Sequence, residues 1–453
     1  MAARYLERSR IVAPPGWSRW LVPPAALSIH LAIGQAYAWS VFKKPLETSL
    51  GISGVASALP FTLGIVMLGL SAALFGTRVD RNGPRWAMVI SMCCFCGGFL
   101  IAALGVSVGQ YWLVVLGYGV VGGIGLGIGY ISPVSTLIMW FPDRPGLATG
   151  IAIMGFGGGA LIAAPWSSSM LTAFGATGVH PDPSGIAKAF LIHGAVYAVF
   201  MSVGWLLIRV PADGWQPAGW EPTPQPVGGL ISADSVSARN AIRTPQFWLL
   251  WVVLCFNVTA GIGILERAAP IYTDFFPARA GLTAAAAGFV AILSLANMLG
   301  RFVWSSTSDV LGRKNIYRLY LGVGALLYLT VTLTTNADKV VFLVCCMLIL
   351  SFYGAGFATV PAYLRDLFGT YQVGAIHGRL LTAWSTAGVL GPVIVNAIAD
   401  DRIAAGVTGP GRYTPSFSIM IGLLIIGFVC NELIRPVDSR FHEQAAGKAA
   451  TAA

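Results

Sequence analysis

About a dozen apolar stretches, each close to the length of a bilayer crossing, follow one another along this 453-residue chain. Residues 86–107, 246–265, 319–335 and 339–360 are the clearest, with few or no charges. Each approaches the roughly 20 residues a helix needs to cross about 30 Å of hydrocarbon. One such run fits a buried helix of a water-soluble protein. A dozen do not, because a single core cannot hide them all. Composition agrees: 56% of residues are hydrophobic and 10% are charged, against roughly 25% charged in soluble chains. Mean hydropathy is +0.74, and the 55 glycines suit helices that approach closely in lipid.

The spans predict an all-α membrane protein with twelve transmembrane helices in two pseudo-symmetric six-helix bundles. They fall near 20–42, 53–76, 85–107, 110–140, 146–172, 188–208, 245–275, 282–306, 315–335, 339–364, 378–399 and 414–434. The stretch after the sixth span carries Pro211, Pro217, Pro222, Pro224 and Pro226 and reads as a linker. The expected organisation is an N-terminal bundle over 1–208, a linker over 209–244, a C-terminal bundle over 245–434 and a tail over 435–453. The first apolar run begins near Leu21, contains Gln35, Tyr37 and Trp39, and lacks a convincing cleavage site. It is expected to be retained as the first span.

An even number of spans puts both termini on one side. That side carries 19 Lys or Arg, against seven in the opposite loops: Lys43, Lys44, Lys188, Arg279, Lys339, Arg402 and Arg412. Basic residues stay preferentially in the cytoplasm. The expectation is a multi-pass protein of a bacterial inner membrane, with both termini and the linker cytoplasmic. The net charge of +10 is thereby topogenic, and no zinc-finger spacing, RNA-binding motif or P-loop points to nucleic acid. The seven cysteines lie in apolar segments, where they act as small hydrophobes. No cofactor is expected.

A repeat supports two halves. Gly76-Thr-Arg-Val-Asp80-Arg-Asn-Gly83-Pro-Arg85 follows the second span, and Ser305-Ser-Thr-Ser-Asp309-Val-Leu-Gly312-Arg-Lys314 follows the eighth, 229 residues later. Gly150 and Pro165 recur as Gly378 and Pro392 at nearly the same offset. In each motif the aspartate is expected just past a helix end, with a glycine that permits a sharp turn. It can cap a helix of the other bundle and pair with an arginine. Asp80 with Arg81 or Arg85, and Asp309 with Arg313, are therefore candidate gating residues. A plain structural turn is the other reading.

Arg301 stands out inside the eighth span. Eight residues before Asp309, it lies roughly 12 Å deeper at 1.5 Å per residue. Charges so deep are costly and usually functional, and a guanidinium can hold a carboxylate through two parallel hydrogen bonds. The alternative is an arginine that reaches the headgroups or pairs structurally. Asn297 lies one turn away on the same face. The equivalent first-half positions, Leu68 and Ala72, are apolar, so the pocket is expected to be charged on one wall only. Gln35, Tyr37, Tyr118, Tyr130, Tyr353 and Trp384 are further candidates for contact with a small organic anion. Each also fits helix packing. Glu266 and His30 are candidates for proton coupling, with structural roles as the alternative, and His193 reads as a packing histidine. No nucleophile–base pair or metal cluster suggests an enzyme, and no output domain suggests a sensor.

The stretch Gly34-Gln-Ala-Tyr37-Ala-Trp39-Ser40-Val-Phe42, the two Asp-x-x-Gly motifs and Asn297-Met-Leu-Gly-Arg301 together resemble the major facilitator superfamily. Within it they resemble the oxalate/formate antiporter family, related to the monocarboxylate transporters. The resemblance implies that Arg301 binds a substrate carboxylate. Members that exchange oxalate use a second basic residue, a lysine in the eleventh helix, and that position falls on Trp384 here. The first-helix lysine of the mammalian-type carriers is also absent; Ser40 and Val41 occupy its neighbourhood. A dianion would lack a second partner, so a monocarboxylate such as lactate, pyruvate or formate is the expected substrate. Proton symport is the expected mode and the protein is expected to act as a monomer. Anion exchange and export of another organic solute remain the alternatives.

Overall fold

The computed structural model describes residues 6–177, 181–220, 230–232, 234–277, 282–334 and 338–443. Eleven helices are long and apolar enough to cross a membrane, and a bent pair at the amino end makes twelve. Helices are what the apolar runs must form, because a backbone in hydrocarbon has to satisfy its polar groups internally. The bent pair is α1, Arg19–Ala38 continued by Ser40–Leu50 at 48°. The N-terminal half continues with α2 (Gly54–Asn82), α3 (Pro84–Ser107), α4 (Tyr111–Trp140), α5 (Pro145–Ala173) and α6 (Pro183–Leu207). The C-terminal half comprises α7 (Pro245–Glu266), α8 (Leu282–Leu311), α9 (Arg313–Thr334), α10 (Lys339–Phe368), α11 (Val373–Ala404) and α12 (Thr414–Leu433).

Local chemistry sets the ends. Ser53, Asp182, Thr244 and Asp338 cap α2, α6, α7 and α10 through side-chain oxygens, satisfying amides that the first turn leaves free. Proline occupies the first turn of α3, α5, α6, α7 and α12, where no donor is lost. Gly83 and Gly312 turn the chain between α2 and α3 and between α8 and α9 with φ of 91° and 83°, a conformation costly for other residues.

Three expectations need correction. First, α2 and α8 run past the anticipated ends, so Asp80 and Asp309 sit in the last helical turns rather than beyond them. The polar residues there mark where the helix leaves hydrocarbon, not where it stops. Second, the seventh span breaks at Arg267, and a short helix, Ala268–Phe275, follows. Third, the eleventh span starts at Val373 rather than 378.

Helices α1 to α6 pack on one another, as do α7 to α12, and the halves meet along α2–α11, α5–α8 and α5–α10. Gly150 of α5 lies against the carbonyl of Arg301, and Gly378 of α11 against that of Ala72. The pseudo-equivalent helices thus cross at pseudo-equivalent points. The linker's described residues run along the face that carries both chain ends. Val210 bridges to Val12, and Val236 bridges to His442 and donates to Phe368 O at the end of α10.

Candidate functional site

On that terminal face, two aspartates hold the halves together. Asp309 of α8 accepts hydrogen bonds from Gly146 N and Leu147 N at the start of α5, both 2.8 Å. Asp80 of α2 accepts one from Ala375 N at the start of α11, 2.8 Å. Each carboxylate faces the positive end of a helix dipole in the other half. The ion pairing is unequal. Arg313 binds Asp309 at 2.5 Å and Asp366 of α10 at 3.2 Å. No ion pair joins Asp80 to Arg81 or Arg85 among the described residues, which corrects the expected pairing. Arg85 instead turns to the carbonyls of Trp205 and Leu206 at the end of α6, Arg81 is exposed, and Arg8 lies along Asp80, bonding its carbonyl at 3.0 Å. Asp366 was not anticipated; an acid one residue after Arg365 looks like one more terminal charge.

Deeper in the same interface lies Arg301, wholly buried. Its Nε donates to Asn297 Oδ1 at 3.2 Å, and Nη1 donates to Ile153 O of α5 at 3.3 Å. Nη2 makes no hydrogen bond among the described residues, although the Tyr37 hydroxyl lies close enough to the guanidinium to interact with it. No carboxylate pairs with Arg301 among the described residues. Gly157 makes room for it: a Cβ there would come within 2.9 Å of Nε. The Phe156 and Phe357 rings lie 5.8 and 5.5 Å from the guanidinium carbon. Their faces offset up to ~2 kcal/mol of the cost of burying the cation, whereas an unpaired buried ion costs several kcal/mol.

The same two phenylalanines carry Trp384 of α11, 5.5 and 4.4 Å away. Tyr130 of α4 is 5.4 Å from Phe156 and 5.5 Å from Trp384. Tyr353 adjoins Phe357 at 5.4 Å, and its hydroxyl meets that of Tyr37 at 3.3 Å. His30 and His377 lie 5.4 and 5.9 Å from Tyr130. The result is an aromatic chamber around one guanidinium, built from both halves. Tyr130 Oη, Trp384 Nε1, His30 Nδ1 and His377 Nε2 are buried and, like Arg301 Nη2, without hydrogen-bond partners. Buried polar atoms are normally satisfied, so a concentration of unsatisfied ones marks a place for a polar guest. Tyr37, the part-exposed member of the group, marks the side away from the terminal face.

Two expected members lie elsewhere. Tyr118 donates to Gln35 at 3.1 Å and packs on Trp39 and Phe99 inside the N-terminal bundle. The reason is local. Residues Gly34–Ala38 form a 3-10 turn of about three residues per turn, so Gln35 and Tyr37 point to different sides. The Glu266 side chain lies outside the described residues; its neighbour Arg267 pairs with Asp400 at 2.5 Å and reaches Asn396. His193 is satisfied by Ser167 and Ala189 O at 2.9 and 2.7 Å, which fits its reading as a packing histidine. His377, Phe156 and Phe357 were not anticipated. His377 immediately precedes the expected start of the eleventh span, so it looked like a loop residue.

The sequence profile of the Major Facilitator Superfamily matches residues 25–392. The chain is 27% identical over 386 residues to the oxalate:formate antiporter of Oxalobacter formigenes, covering 84% of this chain and 85% of that one. It is 25% identical over 357 residues to apicoplast pyruvate carrier 1 of Toxoplasma gondii, covering 68% and 63%. Among solved structures it is similar to a transporter in the outward conformation, FucP, with a TM-score of 0.67, 12% identity and coverage of 91% and 98%.

Proposed function

The chain belongs to the Major Facilitator Superfamily, and on that premise we propose that it carries a small monocarboxylate by alternating access, together with a proton. The lactate, pyruvate and formate class fits the chamber. The observation that carries this reading is the buried Arg301, with a free nitrogen and no acidic partner among the described residues. A carboxylate would take the open edge of the guanidinium through charge-assisted hydrogen bonds. Aromatic walls suit the less polar end of a short acid, and Tyr37, Tyr130, Tyr353 and Trp384 would border it.

Alternating access follows from where the closures lie. The terminal face is held by Asp309 and Asp80, and Tyr37, the part-exposed member of the chamber, lies farther along its helix from that face than His30 does. The excess of basic residues supports a cytoplasmic terminal face. On this reading, closure of the terminal face corresponds to the stage that receives substrate from outside an inner membrane. Opening inward would break both aspartate caps. Entry of an anion against a negative interior needs compensation, which a co-transported proton supplies.

Anion exchange is the second reading, supported by similarity to the oxalate:formate antiporter. Trp384, in place of a second cation, weighs against a dianion. Uptake by purified protein in proteoliposomes tests these readings. Saturable lactate or pyruvate flux that disappears in Arg301→Ala is the expected result. Flux unchanged by that substitution, or oxalate preferred over every monocarboxylate, would defeat the reading.

A further inference from the structure

Two of the unsatisfied nitrogens in the chamber belong to imidazoles on opposite halves. His30 sits on α1 with Nε2 against Tyr130 O at 3.2 Å; its Nδ1 has no partner at hydrogen-bonding geometry, although the Ala26 carbonyl approaches it. His377 sits on α11, 2% exposed, with a free Nε2. The Tyr130 ring, 5.4 Å from one and 5.9 Å from the other, links the pair. The contrast with His193 is direct: its two nitrogens are both satisfied within its own bundle. Imidazole is also the side chain whose ordinary titration lies nearest neutrality.

We propose that His30 and His377 together form the proton-carrying site, and that they hold one proton for each carboxylate bound at Arg301. This rests on the monocarboxylate reading and deepens it. The groups that face the pair are few. Tyr130 and Tyr37 face it from α4 and α1, Arg301 from α8, Asp80 of α2 from one turn nearer the terminal face at Ala375 N, and Arg379 lies on the His377 helix. Arg301 acts electrostatically on His30, and the two histidines act on each other.

Order and stoichiometry follow from charge. With the site empty, Arg301 opposes a second cation beside it. A bound carboxylate neutralises that charge, and an imidazole can then take a proton from the outer solution. A second proton is opposed by the first, because the histidines share one small dry space. The anion therefore binds first, one proton follows, and their combined charge is zero. His30 lies about as deep as Arg301, 11 and 10 residues from their helix ends on the terminal face, or roughly 15–17 Å. His377 is only four residues from the start of α11, about 6 Å. After inward opening, the proton is released to the cytoplasmic solution from the side where His377 lies.

The test uses full-length protein in proteoliposomes with labelled pyruvate and a trapped pH dye. Counterflow reports substrate exchange without net proton movement. Accumulation under an imposed acid-outside gradient reports coupling. For the wild type, a gradient of one pH unit should drive about tenfold accumulation with one proton per pyruvate, insensitive to membrane potential. His30→Gln and His377→Gln should keep counterflow while accumulation falls to about onefold. His193→Gln, at a histidine satisfied within its own bundle, should remain coupled. Equal proton-driven accumulation in the His30 and His377 variants would overturn the proposal. So would wild-type counterflow without any proton-driven accumulation, a result that leaves the carboxylate reading standing. Absence of any carboxylate counterflow in the wild type would end both. Should a glutamine variant lose all activity, the matching asparagine variant is read instead, and proton-driven accumulation retained there overturns the proposal.

Discussion

Replacing Arg301 separates a substrate ligand from a structural cation, because the two roles predict opposite effects on stability. Arg301 is fully buried, makes two hydrogen bonds of 3.2 and 3.3 Å to neutral acceptors, and has a third nitrogen with no partner among the described residues. Those two bonds, each from an ionised donor, contribute about 1.5–3 kcal/mol each, and the flanking rings up to ~2 kcal/mol. The desolvation of the ion costs several kcal/mol. Arg301→Gln removes the charge and can still bond Asn297 or Ile153 O. Stability without substrate should therefore stay within about 2 kcal/mol of wild type once these terms are offset. Substrate binding should fall sharply. Two charge-assisted hydrogen bonds at about 1.5–3 kcal/mol each amount to ~3–6 kcal/mol, a loss of about 10²- to 10⁴-fold in affinity. Arg301→Lys keeps the charge but loses the planar fork, so it should fall between. The assay is thermal unfolding in detergent with and without pyruvate, beside uptake kinetics in liposomes. A glutamine variant that melts well below wild type while binding pyruvate normally would refute the reasoning, because it would make Arg301 a packing element.

Four other substitutions address other parts of the argument. Trp384→Lys should admit oxalate to counterflow and weaken pyruvate, since it supplies a second cation beside Phe156 and Phe357; no gain of oxalate flux would count against the role given to this position. Asp309→Asn should open the terminal face more than Asp80→Asn, because Asp309 accepts two amides and an arginine whereas Asp80 accepts one amide; labelling of single cysteines introduced on that face would rank the two. On the same face Arg19 grips Asp143 bidentately at 2.6 and 3.0 Å. Burial raises the Asp143 carboxyl, but the bonds from Arg19 outweigh it and hold the carboxyl below its ordinary value. A carboxyl lowered by folding stabilises above its unfolded value, near 3.9, and this is lost as pH falls through the folded value. The pair is solvent-screened, so Asp143→Asn should cost under ~1 kcal/mol at pH 7, a difference that vanishes in acid melts below that range.

The existence of the helices was legible because apolar length is a strong constraint in lipid. Their bends were not. The turn at Gly34–Ala38 and the break at Arg267 depend on neighbours from other spans, which periodicity does not report. The extension of α2 and α8 was hidden because helices that project into water acquire Asp, Ser and Arg like any loop. Arg301 was visible as a charge in an apolar run, and Asn297 followed from helical spacing. Tyr118 and Tyr130 share one span and one residue type, and nothing in the sequence separates the one that packs inside a bundle from the one in the chamber. His377 was passed over because the span boundary was drawn one residue after it. Phe156 and Phe357 carried no signal among 23 phenylalanines.

The repeat explains why the chemistry sits where it does. Equivalent positions with conserved roles in both halves are those that close the terminal face: Asp80 with Ala375, Asp309 with Leu147, and Gly150 and Gly378 against opposing backbones. Rocking one bundle against the other calls for such matched contacts. The chamber is built where the match fails. At the repeat offset Arg301 faces Ala72 across the pseudo-axis, Tyr130 answers to Ala358, and His377 answers to Thr149, whose hydroxyl is satisfied by Ala358 O at 2.8 Å. A second arginine at the Ala72 position would set two unpaired cations against one carboxylate in a dry space, leaving one of them uncompensated. One anion of single charge is matched by one cation, and the opposite wall is then free to hold neutral groups that titrate. The asymmetry of the centre is what the proposed monocarboxylate would require of a symmetric frame.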